Sequence, residues 1–193
     1  MKIIFASQNP NKIREIGALI PPGIEISGIT GLHPAFENEL PETGETLEEN
    51  ALQKARFVYE HTGIPCFADD TGLEINCLGG RPGVYSARYA GEAKNANDNI
   101  AKILHEMENC TDRSARFRTV IAFVEGKNEH LFEGIVNGRI ANEKRGEKGF
   151  GYDPVFIPEE SERSFAEMEL PEKNAISHRA RALLKLVEFL KKM

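Results

Sequence analysis

Two adjacent carboxylates, Asp69-Asp70, follow the apolar run 64–68 and lead into Thr71-Gly72. Open α/β sheets gather ligands beyond the carboxyl ends of their strands, which is where this pair would stand. Ionising both acids beside apolar chain requires a counter-charge, and a hard cation such as Mg²⁺ supplies one. Successive strand residues face opposite sides. One acid is therefore expected to reach a metal or a water while the other fixes the turn. The competing reading makes both acids turn formers ahead of Gly72.

Four other stretches offer chemistry. Ser7-Gln8-Asn9-Pro10-Asn11-Lys12 lies between an apolar run and a helical period. A helix start there would present unpaired N–H groups and a positive dipole end to phosphate oxygens, with Lys12 adding charge. The plainer reading is a cap, with Asn9 at N-cap, Pro10 at the first helical position and Lys12 in solvent. The stretch lacks the Walker A pattern. Glu42-Thr43-Gly44-Glu45-Thr46 precedes a helix carrying Glu48, Glu49 and Lys54. Thr46 and Glu49 fit a capping box, which leaves Glu42 the freer metal ligand beside Asp70. Lys54 could extend back toward a phosphate; the alternative is a solvated charged face. In Gly149-Phe150-Gly151-Tyr152-Asp153-Pro154 two glycines let backbone pass close to a flat ligand. Phe150 offers a stacking face and Asp153 an acceptor, as base reading requires. A β-turn with two core aromatics is the simpler account. Ser177-His178-Arg179 opens the last helix with donors suited to a keto oxygen or a phosphate; otherwise His178 is a solvent-facing helix residue. Each stretch is weak alone. Together they describe a nucleoside triphosphate site with a metal.

The elements that must position these residues alternate. Strands are expected at 2–6, 25–29 and 64–68, with continuation over 73–77, and at 116–124 and 131–140. The last two are joined by a hairpin at Gly126-Lys127-Asn128. The first helix shows Ile13, Ile16 and Ile20 at helical spacing, with Leu19 beside them. The second runs from Thr46 with the seam Leu47, Ala51, Ala55 and Val58, stopped by Gly63 and Pro65. A third carries Ile100, Ile103, Leu104 and Met107, with Asn97 as its cap. The last starts at Ser177 and carries Ala180, Leu183, Leu184, Val187 and Leu190. Segments 30–43, 78–91 and 146–153 read as loops. Alternating strands and helices with one hairpin indicate an α/β fold built on a mixed sheet. No linker composition interrupts it, so 1–193 is expected to be one domain.

Composition narrows the classes further. The 193 residues are 40% hydrophobic and 28% charged, and carry a net charge of −6. That balance argues against a nucleic-acid coat, which needs a broad basic face. Attraction for a small anion must then be local. No stretch approaches the apolar length of a membrane span, and the N-terminal residues read as a strand start and not as a signal peptide. The three cysteines lack metal-ligand spacing, so reduced thiols in a cytoplasmic protein are expected.

The ordered motifs carry a resemblance. Ser7-x-Asn9-x-x-Lys12 comes first, then Glu42-Thr43-Gly44 with Glu49-Asn50-Ala51 and Lys54, then Ala68-Asp69-Asp70-Thr71-Gly72-Leu73. Gly83-Val84-Tyr85-Ser86-Ala87-Arg88-Tyr89 and Gly149-Phe150-Gly151-Tyr152-Asp153-Pro154 follow, and Lys173 with Ser177-His178-Arg179 ends the series. In this order they resemble the inosine triphosphate pyrophosphatase family over nearly the whole chain. The resemblance implies an elongated mixed β-sheet flanked by helices, two lobes with a cleft, and a homodimer. It implies Mg²⁺-dependent hydrolysis of ITP, dITP or XTP to the monophosphate and pyrophosphate. By the same resemblance, Ser7, Gln8, Asn9, Pro10, Asn11, Lys12 and Lys54 would hold the triphosphate, with Thr71 standing where relatives often have Ser. Glu42 and Asp70 would be metal ligands, and Asp70 would also take the proton from water, with Asp69 the second choice. Phe150, Gly151, Tyr152, Asp153, Lys173, His178 and Arg179 would form the base and ribose pocket. Two other classes stay open: a pyrophosphatase for pyrimidine triphosphates, and a catalytically silent nucleotide sensor.

Overall fold

β1 (Lys2–Phe5) buries Ile3, Ile4 and Phe5 and pairs in parallel with β2 (Glu25–Ser27) on one side and β3 (Cys66–Ile75) on the other. These coordinates are a computed structural model that describes residues 2–193. A seven-stranded sheet has the order β2-β1-β3-β5-β6-β7, and β4 (Pro82–Gly83) pairs antiparallel with β3 beyond that path. β5 (Ser114–Glu125) and β6 (Asn128–Ile140) are joined through Gly126-Lys127, with Gly126 at φ +62° as a tight hairpin requires. β7 (Phe156–Pro158) adds antiparallel to β6. Parallel and antiparallel pairs in one sheet with helices between the strands make a mixed α/β fold.

The helices are α1 (Pro10–Gly17), α2 (Leu47–Thr62), α3 (Ala96–Glu106), α4 (Leu170–Ile176) and α5 (His178–Leu190). Among the described residues none is long and apolar enough to cross a membrane. The chain divides into two compact units, each discontinuous in sequence. The first holds Met1–Asp70, Thr119–Gly134 and Arg179–Met193; the second holds Thr71–Arg118 and Ile135–His178. The core of the first joins Ile3, Phe5, Ile16, Phe67, Ile121 and Phe123 to the buried side of α5. The core of the second gathers Leu73, Ile75, Ile100, Ile103, Phe117 and Phe156.

Several local expectations change. β3 runs on through Gly72, as expected, but ends at Ile75 and not at 77; Asp69 and Asp70 are strand residues and not turn formers. Gly72 is there for close approach: a Cβ would lie 2.7 Å from the Gly83 carbonyl oxygen. The cap of α3 is Asn95, whose side chain accepts from the N–H groups of Asn97 and Asp98, and not Asn97. On α5 the buried seam includes Ala182 and Leu186, while Leu184 faces solvent at 56% exposure. On α1, Ile13 is exposed and Glu15 is buried, a charge where an apolar period alone places none. β7 and α4 are too short to show a period. The cysteines also differ from expectation. Cys77 and Cys110, whose Cα atoms are 6.2 Å apart, form a disulfide, within the span such a bond needs. They follow β3 and α3 respectively, so a sequence separation of 33 hides their proximity. Cys66 is free and buried, and burial pushes its thiol up to about 12, which keeps it inert.

Candidate active site

The first unit brings Lys12, Glu42, Lys54, Asp69, Asp70 and Arg179 into one polar cluster in which all but Glu42 are largely buried. Its supports are local. Asn9 caps α1, accepting from the N–H groups of Asn11 and Lys12 at 3.0 and 3.2 Å, with Pro10 in the first turn. Asn9 is thus the cap, and the Lys12 ammonium is directed at Asp69 and not into solvent. That ammonium lies 3.1 Å from Asp69 Oδ1 and 3.4 Å from the Asp69 carbonyl oxygen, at 15% exposure. Gln8 points elsewhere: its amide donates to the carbonyls of Phe36 and Asn38 at 2.6 and 2.9 Å, tying segment 36–38 to the loop.

α2 holds the acidic approach segment. Thr46 and Glu49 form the capping box, and Glu49 Oε2 also accepts from the N–H of Glu45 at 2.7 Å. Gln53 accepts from the N–H of Thr43 at 2.9 Å. Asn50, 1% exposed, accepts from the N–H of Gly44 at 2.8 Å and donates to Asp70 Oδ2 at 3.1 Å. One amide therefore fixes both the segment carrying Glu42 and the carboxylate of Asp70. A full helical turn on, Lys54 donates to Glu42 Oε1 and to the Asp69 carbonyl oxygen at 2.8 Å, and stands 3.8 Å from Asp70 Oδ1.

The two acids of β3 have opposite surroundings, as strand alternation requires. Asp69 is 1% exposed and accepts from Arg179 Nε at 3.0 Å. Burial raises its pKa, but the Lys12 and Arg179 charges together outweigh burial and hold the carboxyl well below the usual range. Arg179 also donates to Glu15, and all three side chains are at most 2% exposed. Asp70 stays above the ordinary range: burial dominates, and the pull of Lys54 and Lys12 does not fully offset it. Lys54 goes the other way from what burial favours, because Asp70, Glu42 and Asp69 together raise it. Asp70 is thus the better proton acceptor of the pair, and Asp69 is a fixed anion.

The second unit holds Thr71 and the base-reading candidates. Asp153 Oδ2 accepts from the Phe150 N–H at 2.8 Å and from Lys173 Nζ at 2.5 Å, with Asp153 and Lys173 both nearly fully buried. Gly149, at φ +73°, leaves room for that carboxylate, since a Cβ would lie 2.1 Å from Asp153 Oδ2. Lys173 Nζ stands 5.0 Å from the centre of the Phe150 ring, a cation–π distance. Tyr152 is buried and donates to the Ser86 carbonyl at 2.8 Å. His178 is not in solvent: it is 3% exposed and stacks on Phe117 with ring centres 4.5 Å apart. Arg179 belongs to the first unit, where its Nε and one terminal nitrogen donate to Asp69 and Glu15, as a buried guanidinium requires.

Two participants, Glu15 and Asn50, are given no role in the sequence reading. Glu15 follows Lys12 by about one helical turn, a spacing that places both on one face. Asn50 stands in the same relation to Lys54 on α2. Asp69 is visible as an acid, but its partner Arg179 lies 110 positions away.

A model of the Ham1 family matches residues 3–189. The chain is 53% identical over 192 residues to the dITP/XTP pyrophosphatase of Christiangramia forsetii, covering 100% of each. It is 46% identical to the dITP/XTP pyrophosphatase of Bacillus subtilis, covering 97% of this chain and 96% of that one. Among solved structures it is similar to a HAM1 protein from Coxiella burnetii, with TM-score 0.90, 40% identity and full coverage of both chains. The Staphylococcus aureus Ham1 protein gives TM-score 0.89 at 40% identity, covering 100% of this chain and 99% of that one.

Proposed function

The chain belongs to the Ham1 family, and we propose that it is a nucleoside triphosphate pyrophosphatase that hydrolyses dITP, ITP and XTP to the monophosphate and pyrophosphate. The supporting observation is the polar cluster of Lys12, Glu42, Lys54, Asp69 and Asp70, largely buried except at Glu42. It sets hard oxygen donors beside cations suited to phosphate. The names of the relatives supply the substrate class.

The donor set fits Mg²⁺. Glu42 and Asp70 offer carboxylate oxygens, and both already contact one cationic group, Lys54. Among the described residues no three of His, Cys, Asp and Glu form a cage. Mg²⁺ does not demand one, because it keeps waters and substrate oxygens in its shell. When bound by Glu42 and Asp70, the ion would offset phosphate charge and orient a water for attack on the α-phosphorus.

The protein's own groups do the rest. Asp70 accepts the proton of the attacking water, its Oδ2 oriented by Asn50. Lys12 and Lys54 stabilise the charge that spreads onto the departing pyrophosphate. Asp69, held ionised by Arg179 and Lys12, keeps the Lys12 ammonium in place. For the base, Phe150 offers its ring face, and Lys173 and His178 supply donors to the 6-keto oxygen of hypoxanthine or xanthine. Adenine carries an amino group at that position and would set donor against donor. The resemblance adds a homodimer to this reading.

One assay tests it. dITP, ITP, XTP, GTP and ATP are each supplied with Mg²⁺, and pyrophosphate and orthophosphate are measured separately. Pyrophosphate from the first three, well above GTP and ATP, is expected. Stepwise orthophosphate release, or equal turnover of ATP, overturns the reading.

A further inference from the structure

We propose that Lys54 occupies the divalent-ion position between Glu42 and Asp70, so that ion entry requires its ammonium to leave those carboxylates for the substrate's phosphates. The proposal rests on the reading that Glu42 and Asp70 hold the metal.

Lys54 is 6% exposed at its side chain and is grounded in the middle of α2. Its ammonium contacts Glu42 Oε1, lies 3.8 Å from Asp70 Oδ1 and donates to the Asp69 carbonyl at 2.8 Å. Asn50 takes Asp70 Oδ2, which leaves Oδ1 as the oxygen turned toward Lys54. Asn50 also secures Gly44, two residues beyond Glu42. The Asp70 carboxylate is thus oriented, and the segment carrying Glu42 tethered, by contacts that do not involve the ammonium. A lysine ammonium is a compact point charge with three donors on a flexible stem. It satisfies the pair without chelating it, and it can swing away.

Two cations cannot share those oxygens without strong repulsion. The displaced ammonium is buried, so it needs a new anion close by, and triphosphate oxygens are the anion this protein would bring. Without nucleotide, Lys54 therefore competes with the divalent ion. With nucleotide, Lys54 is drawn to the phosphates and the competition ends. Ion and substrate binding are coupled through one side chain, and the free protein holds the ion weakly.

Mn²⁺ binding to the full-length protein, followed by electron paramagnetic resonance of the free ion in the absence of nucleotide, tests this. Lys54→Met is expected to tighten Mn²⁺ binding roughly tenfold or more, because it removes a like charge from the ion's position. Lys54→Arg, which keeps the charge, is expected to stay as weak as the parent. Loss of a residue by structural damage does not raise affinity, so the sign is diagnostic. Unchanged or weaker binding in Lys54→Met overturns the proposal. Should Lys54→Met unfold without ion, the Mn²⁺ concentration that restores the fold reads the same affinity, and failure to restore it also overturns the proposal. Glu42→Gln in the Lys54→Met background separates the two levels. If Mn²⁺ binding then persists undiminished, the ion is not held by Glu42 and the metal-site reading fails with the proposal. If it is lost while Lys54→Met alone gave no gain, only the exchange fails.

Discussion

Replacing Arg179 with Met is the sharpest test of the buried charge network in the first unit. Arg179 is 1% exposed and joins Glu15 on α1 to Asp69 on β3. Met fills most of the volume but leaves two buried carboxylates facing each other's field. Asp69 keeps Lys12 at 3.1 Å, so the larger penalty falls on Glu15. Breaking a buried pair by removing one partner costs about 3–5 kcal/mol. For a chain of this length each kcal/mol moves Tm by about 2–4 °C, so a drop of roughly 6–20 °C is expected. Glu15→Gln added to Arg179→Met removes the stranded charge and should recover part of the loss. The two substitutions would then be non-additive by about 0.5–3 kcal/mol. Thermal unfolding of the parent, both single variants and the double variant at pH 5–8 measures this. Asp69 has a depressed pKa in the folded state, so its stabilisation is fully present above the unfolded carboxylate value of about 3.9 and is lost only as pH falls below it. In the parent the chosen window is therefore flat for that group, so a pH dependence that appears only in Arg179→Met reads the stranded carboxylates taking up protons. A Tm change under about 2 °C for Arg179→Met, less than 1 kcal/mol on the same scale, would refute the network as a source of stability. So would a double variant that simply adds the two losses.

Other substitutions have defined outcomes. Asp70→Asn removes the proton acceptor while keeping a side chain of the same shape; turnover should fall below detection while calorimetry still shows nucleotide binding, and full activity would remove Asp70 from the role. Gly149→Ala places a methyl 2.1 Å from Asp153 Oδ2 at φ +73°, which should cost about 1–3 kcal/mol in strain and raise KM for dITP, seen by denaturant unfolding and initial-rate kinetics. Thr46→Ala deletes the side-chain half of the α2 capping box and should lower stability by about 1 kcal/mol, measured by urea midpoint.

What could be read from the sequence was what repeats or caps locally. The strand–helix alternation, the Thr46–Glu49 box and the Asn9 cap each rest on residues within one turn of each other, and the structure shows both caps. Short-range pattern also led astray. Asp-Asp-Thr-Gly admits a turn as readily as a strand, and its sequence carries no sign of the close approach of β4 at Gly83 that Gly72 permits. Apolar periodicity placed Ile13 inside and missed Glu15, because a buried charge is stabilised by a distant partner and not by its own helix. The pairing of Glu15 with Arg179 spans 164 residues and that of Asp69 with Arg179 spans 110; no spacing rule reaches that far. Residue type and place at a helix start suggested a keto oxygen or a phosphate as a partner of Arg179, and carried no sign of the two carboxylates that its guanidinium meets. The site candidates were therefore legible as an inventory of oxygen donors and cations. Their division of labour was not. Asp69 as fixed anion, Asp70 as raised acid and Lys54 as resident cation follow from which neighbours the sheet and α2 deliver to each, and two adjacent identical residues in a sequence carry no sign of that difference.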